Sequence, residues 1–247
     1  MGIVLIPVLA LKLSANPTIS YIIYGIYFAL IWAVILYKLI GTIQTNIKTA
    51  ISISLLTIPT ISLIYLFHET SLWTIIKNNM YSSNLILSFF SMLLGVAIIE
   101  ELIKQIFVYN VIYRNRNVTL PRTAIFYGMI AGLSFGILEG YEYQLTVNKT
   151  LDIDNNYFLN IIRLTSLPFF HAIWAGIGAY FASLSFIELK FKYSFRIMGL
   201  IIPSILHTFY NIFNLNILGI SVVVISSLIF IVYLTKSNLV SKHLNNI

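Results

Sequence analysis

The chain has no cysteine, which removes disulfides, thiolate metal sites and a cysteine nucleophile; any catalysis must fall to Glu, His, Asn, Ser, Tyr or Lys. Charge is nearly as scarce. Of the 247 residues 9% are charged and 59% hydrophobic, with a mean hydropathy of +0.90, whereas roughly a quarter of residues are charged in soluble domains. A long soluble domain is therefore excluded. Internal repeats, heptads and low-complexity tails are also missing. A transporter built from inverted repeats would show corresponding broken helices in its two halves, but here the polar residues crowd between Glu100 and Asn211. The first residues lack a positively charged n-region and a clear small-residue cleavage boundary, which argues against a cleaved signal peptide.

What is there is a succession of long apolar runs. They predict transmembrane helices at 19–37, 49–67, 84–112, 123–143, 159–187, 197–215 and 219–235. The expected fold is all-α: a polytopic integral-membrane bundle of seven helices, or eight if the short apolar stretch within residues 1–13 also inserts. One integral-membrane domain over 1–247 is the simplest organisation, with the core at about 84–215 and the helices in 1–67 of unassigned role.

The net charge of +7 does not point to nucleic acid, because the basic residues sit in short connections between apolar segments. Lys38 and Lys48, Arg114, Arg116 and Arg122, Lys190, Lys192 and Arg196, and Lys236 and Lys242 fall on every second connection and the C-terminal tail. The intervening connections hold one Lys each, Lys77 and Lys149, the latter with Asp152 and Asp154. That alternation predicts a multi-pass cell-membrane protein with a cytoplasmic C-terminus.

Several ionisable residues nevertheless fall inside predicted spans, where each costs roughly 2.5–3.5 kcal/mol on insertion scales. LLGVAIIEELIKQIFVY carries Glu100, Glu101 and Lys104. Lys104 lies one turn beyond Glu100 on nearly the same helix face, so this pair can neutralise itself as a packing element. Glu101, about 100° round the helix, is left unexplained. The next span has Gly128, Gly132, Gly136 and Gly140 four apart, a smooth face for a neighbouring helix, and adds Glu139 in FGILE. Two later spans hold His171 and, in HTFYN, His207 with Asn211 one turn on. A lone buried His is usually a packing residue, but two with three carboxylates form a set that converges easily in a bundle.

If every carboxyl is ionised, the three acids and Lys104 sum to minus two. A low-dielectric site cannot hold that charge unless protons are taken up, the histidines charge or a divalent cation binds. Each outcome leads to acid/base or Lewis-acid chemistry. His68, Glu142 and His243 belong to interfaces, and Arg163 suits a headgroup anchor or a substrate contact. The three tryptophans, Trp32, Trp73 and Trp174, suggest no role.

With Glu100-Glu101-Leu-Ile-Lys104, Phe135-xxx-Glu139, His171 and His207-xxx-Asn211 placed in order on four spans, the chain resembles the PrsW family of intramembrane proteases. That family is marked by EExxK, FxxxE and two later histidines, the second in an HxxxN/D context. It is similar in architecture to the CAAX prenyl endopeptidase (Abi) superfamily, whose members carry Arg after a longer EExxxR spacing and His in place of the second-motif Glu. Lys104 and Glu139 place this chain on the PrsW side, over about residues 90–215.

The resemblance implies site-1 type cleavage of a membrane-anchored protein, such as an anti-sigma factor. Glu100 or Glu101 would be the general base, with Glu100 preferred, and Lys104 would orient the pair. His171 and His207 would polarise the carbonyl or bind a metal, Asn211 would help hold the oxyanion, and Glu139 would be a ligand or second carboxylate. The motifs leave open whether a metal is needed; if so, zinc is the candidate ion and Glu139, His171 and His207 its candidate ligands. The competing readings are a CAAX- or Abi-type peptidase, for prenyl-protein processing or bacteriocin immunity, a proton- or ion-coupled transporter, and a non-catalytic membrane scaffold. One expectation cuts against a shared site: counted from the span ends, Glu100 and Glu139 lie about 15 Å apart in depth.

Overall fold

The computed structural model describes residues 17–114, 120–146, 153–213 and 216–245. The expectations for residues 1–13, for Arg116 and for the outer-loop residues Lys149 and Asp152 lie outside these. Ten α-helices follow one another, with no strand among the described residues: α1 (Pro17–Ile40), α2 (Ile47–Thr57), α3 (Ile61–His68), α4 (Ser71–Met80), α5 (Leu85–Met92), α6 (Ile98–Arg114), α7 (Pro121–Leu145), α8 (Ile153–Ile187), α9 (Lys192–Phe213) and α10 (Ile217–Asn245). A 3₁₀ turn at Ile58–Thr60 joins α2 to α3, and a π-helical turn at Leu93–Ala97 makes α5 and α6 one rod.

Seven stretches are long and apolar enough to cross a bilayer: Ile22–Ile40, Ile47–His68, Leu85–Arg114, Pro121–Leu145, Thr165–Ile187, Leu189–Phe213 and Ile217–Ser241. Each coincides with a predicted span. The protein is thus an all-helical, multi-pass membrane protein.

Burial separates centre from rim. The spans on α7 and α8 are 78% buried, whereas those on α1 and α10 are 17% buried and turn their apolar residues to lipid. The glycine stripe explains the centre. A Cβ on Gly128 would stand 2.5 Å from Ala179 Cβ and 2.6 Å from the Ala175 carbonyl oxygen, and one on Gly136 would stand 2.6 Å from Pro168 Cα. The α7 backbone therefore lies directly on α8, the close approach that small residues at i, i+4 permit.

Polar side chains satisfy the helix ends where they meet. Arg122, in the first turn of α7, donates through Nε to the Ile40 carbonyl at 3.0 Å, through a second nitrogen to the Leu39 carbonyl, and through a third to Asn238 of α10 at 2.8 Å. These carbonyls belong to the last turn of α1, which has no helical donors left. One arginine thus ties three helices together at one face of the membrane. Further in, Pro203 has no N–H, so the Gly199 carbonyl of α9 loses its helical partner, and Gln105 Nε2 of α6 donates to that oxygen instead. Proline and glutamine together lock α6 to α9.

The expected 15 Å offset between Glu100 and Glu139 does not survive. The rod Leu85–Arg114 has 30 residues, a length of about 45 Å against a hydrocarbon core of about 30 Å. It is longer than that core is thick, so counting inward from its end misplaces Glu100.

Candidate active site

Four helices each deliver part of one buried cluster. α6 brings Glu100, Glu101 and Lys104, α7 brings Phe135 and Glu139, α8 brings His171 and Trp174, and α9 brings His207. Glu101, Lys104 and His171 are 0% exposed, His207 1% and Glu100 7%. The π turn ends just before the two acids. Its wider turn leaves room against Gly95 for Trp73, Ile76 and Met80 of α4, which would sit on any Cβ there.

The pairing inside the cluster differs from the expected one. Lys104 Nζ lies 2.7 Å from Glu101 Oε1 and 3.6 Å from Glu100 Oε2. The tight ion pair is therefore Glu101–Lys104, and Glu100 is the acid left over. The i, i+3 geometry wins because the ammonium must also reach His171 Nδ1, at 2.7 Å, while its stem passes the Phe135 ring, whose centroid is 4.4 Å from Nζ. Glu101 Oε1 also takes His207 Nδ1 at 3.1 Å.

This network assigns the ring protons. An ammonium has only donors, so His171 Nδ1 accepts and its proton sits on Nε2; a carboxylate only accepts, so His207 Nδ1 donates. Trp174 fixes the His207 ring by stacking on it, with centroids 4.5 Å apart at 15°, and anchors itself by donating from Nε1 to Ser226 Oγ at 3.1 Å.

On the other side of the rings the polar atoms have no hydrogen-bond partners. Glu100 Oε2, Glu139 Oε2, His171 Nε2 and His207 Nε2 are all buried and unsatisfied. They face one another: His171 Nε2 is 2.5 Å from Glu139 Oε2, without hydrogen-bond alignment, and His207 Nε2 is 3.9 Å from Glu100 Oε2. One donor atom each from Glu100, His171 and His207 falls within 4.8 Å of the others. Two imidazole nitrogens with carboxylate oxygens form the donor set of catalytic zinc sites. His207 is already arranged as such a ligand, since a carboxylate on Nδ1–H is the usual orienting partner of a metal-bound imidazole. His171 becomes one only when its Nε2 is bared, which requires the Lys104 donor to turn from Nδ1 toward the acids.

Most of the predicted site residues are brought together: Glu100, Glu101, Lys104, Glu139, His171 and His207 form one contiguous cluster, and Glu139 joins it despite the depth count. Asn211 is half-buried one turn beyond His207, and its side chain makes no hydrogen bond among the described residues. Arg163 holds its guanidinium over the Tyr143 ring at 3.9 Å, within electrostatic reach of Glu139. His68 stacks on Trp73 at 3.9 Å. Sequence reasoning passed over Trp174, though its position three residues after His171 puts it on the same helix face.

No curated protein and no solved structure matches the chain. The model of one family does, the PrsW family of intramembrane metalloproteases, over residues 18–235, a range that contains the cluster and six of its seven spans in full. With motif order, membrane topology and cluster in agreement, this chain belongs to the PrsW family of intramembrane metalloproteases.

Proposed function

We propose that the cluster is the active site of an endopeptidase that hydrolyses a peptide bond in a membrane-anchored protein, with Glu100 activating the attacking water. The observation that carries this reading is the meeting of four unsatisfied buried polar atoms, from four helices, in one space. Uncompensated polar atoms at membrane depth are costly, and a reacting water and carbonyl would satisfy them.

The roles follow from how tightly each group is held. Glu101 is bonded by Lys104 and His207, which makes it a positioning residue. Glu100 Oε2 is free to accept a proton from water beside His207. Asn211, one turn along α9, is the amide for the oxyanion. A divalent cation, zinc being the ion these donors suit, would be held by His207 and His171 with a carboxylate, and the carboxylate whose oxygen lies within 4.8 Å of both rings is Glu100 rather than the Glu139 expected from the sequence; the ion would supply Lewis-acid polarisation and a more acidic water. The C-terminus is cytoplasmic on this reading, from the alternation of basic connections. The substrate is a membrane-anchored protein such as an anti-sigma factor.

The test compares membrane proteomes of cells carrying the wild-type chain and Glu100→Gln. A membrane-anchored protein should accumulate uncut with the variant, and a shorter product should appear only with the wild type. Identical fragment patterns would remove Glu100 from the chemistry. The metal is tested separately: a membrane-permeant chelator should stop cleavage by the purified protein, and zinc should restore it.

A further inference from the structure

A second site lies where α6 ends and α9 begins, at the membrane face that carries Arg114, Lys190, Lys192 and Arg196. A groove of about 570 Å³ runs between the two helices. Its outer end is lined by Tyr109, Asn110, Tyr113 and Arg196, and its inner end by Leu102 and Leu200 among other apolar side chains. We propose that it binds one anionic phospholipid, with the phosphate at Arg196 and an acyl chain along the inner end.

Dimensions select the occupant. Leu102 to Tyr113 is eleven residues, about 16 Å along the helix, close to half of a hydrocarbon core of about 30 Å. The groove therefore runs the depth of one leaflet. That length matches an acyl chain lying within the leaflet.

Charge selects the headgroup. No Asp or Glu lines the groove, and Arg196 has no carboxylate partner among the described residues. Its guanidinium lies instead 5.6 Å from the Tyr109 ring and 5.7 Å from the Phe186 ring. The Tyr109 hydroxyl lies beside Ser185. A guanidinium fork, with Tyr109, Asn110 and Tyr113 beside it, offers donors for phosphate oxygens. Arg114, Lys190 and Lys192 at the same face add an attractive field for an anionic surface.

The test is native mass spectrometry of the purified, delipidated full chain titrated with phosphatidylglycerol or phosphatidylcholine of identical acyl chains. Wild type should retain phosphatidylglycerol about fivefold more tightly, the selectivity one arginine supplies near a membrane surface. Arg196→Gln should abolish the preference. Leu200→Trp, which fills the inner end and leaves the charge, should lower occupancy by both lipids. Equal binding of the two lipids by wild type, a preference that persists in Arg196→Gln, or unchanged occupancy in Leu200→Trp would each overturn the proposal. These readouts do not depend on proteolysis, so they stand or fall apart from the reading of the active site.

Discussion

The two sides of the buried cluster obey opposite rules. On the Nδ1 side of the histidines the contacts are made through one carboxylate oxygen: Lys104 bonds Glu101 Oε1 and His171, and Glu101 Oε1 bonds His207, while Glu101 Oε2 is left without a hydrogen-bond partner. On the Nε2 side Glu100, Glu139 and both ring nitrogens face one another without a hydrogen bond among them. Structure alone would favour the first arrangement everywhere, since a half-satisfied buried network is worse than an apolar core. The asymmetry therefore sorts the acids. On the proposed reading Glu101 holds the site together and Glu100 takes the proton.

The largest expected effect comes from the unsatisfied side. Glu100→Gln keeps the shape and removes the base, so cleavage should fall about 10²- to 10⁴-fold with thermal unfolding unchanged. If Glu100→Gln cleaves normally while Glu101→Gln does not, the two sides have been assigned the wrong way round.

The satisfied side should break differently, through stability. Lys104→Met leaves Glu101 buried without its counter-charge, a loss of about 3–5 kcal/mol, visible as a lower melting temperature in detergent. Adding Glu101→Leu should recover part of that stability, because an apolar pair replaces the buried ion pair while His171 and His207 lose the partners that Lys104 and Glu101 gave them. Cleavage separates the remaining readings. A double variant that is stable but inactive makes the pair a positioning device, and one that stays fully active reduces it to packing.

How much of this was legible in the sequence follows the same division. The seven spans could be read because bilayer thickness sets their length, and the cluster because ionisable residues in apolar runs stand out. Which acid Lys104 would choose could not be read. Spacing allows both i, i+3 and i, i+4 partners, and the choice of Glu101 depends on His171 Nδ1 and Phe135, which arrive from two other helices. The depth of Glu139 was misjudged for a related reason, that span ends do not reveal where Leu85–Arg114, longer than the hydrocarbon core is thick, sits in the membrane. Trp174 went unassigned because its role exists only once α9 brings the His207 ring against it.

A smaller effect is expected where the helices that carry the cluster touch. Gly136→Ala puts a methyl group 2.6 Å from Pro168 Cα and 3.1 Å from His171 Cδ2. Backbone cannot yield as a side chain can, so α7 must move away from α8 at a cost of about 1–3 kcal/mol. That movement also carries Glu139 away from His171, so cleavage should drop further than the melting temperature alone explains. A loss of stability with cleavage per folded molecule unchanged would show that Glu139 need not stay close to His171.

The smallest effect tests whether His207 must be held as it is. Trp174→Phe keeps an aromatic face for the ring but gives up the Nε1 hydrogen bond to Ser226, worth about 0.5–1.5 kcal/mol. On the satisfied side His207 remains tied by Nδ1 to Glu101, so the fold should hardly notice. On the other side its Nε2 loses the stacked plane that aims it toward Glu100. A modest fall in kcat with the melting temperature nearly constant is the expected result, because one degree of ring rotation is restrained by Glu101 and the other by Trp174. If Trp174→Phe lowers stability and leaves kcat alone, the stack serves the core and Glu101 by itself suffices to aim the histidine.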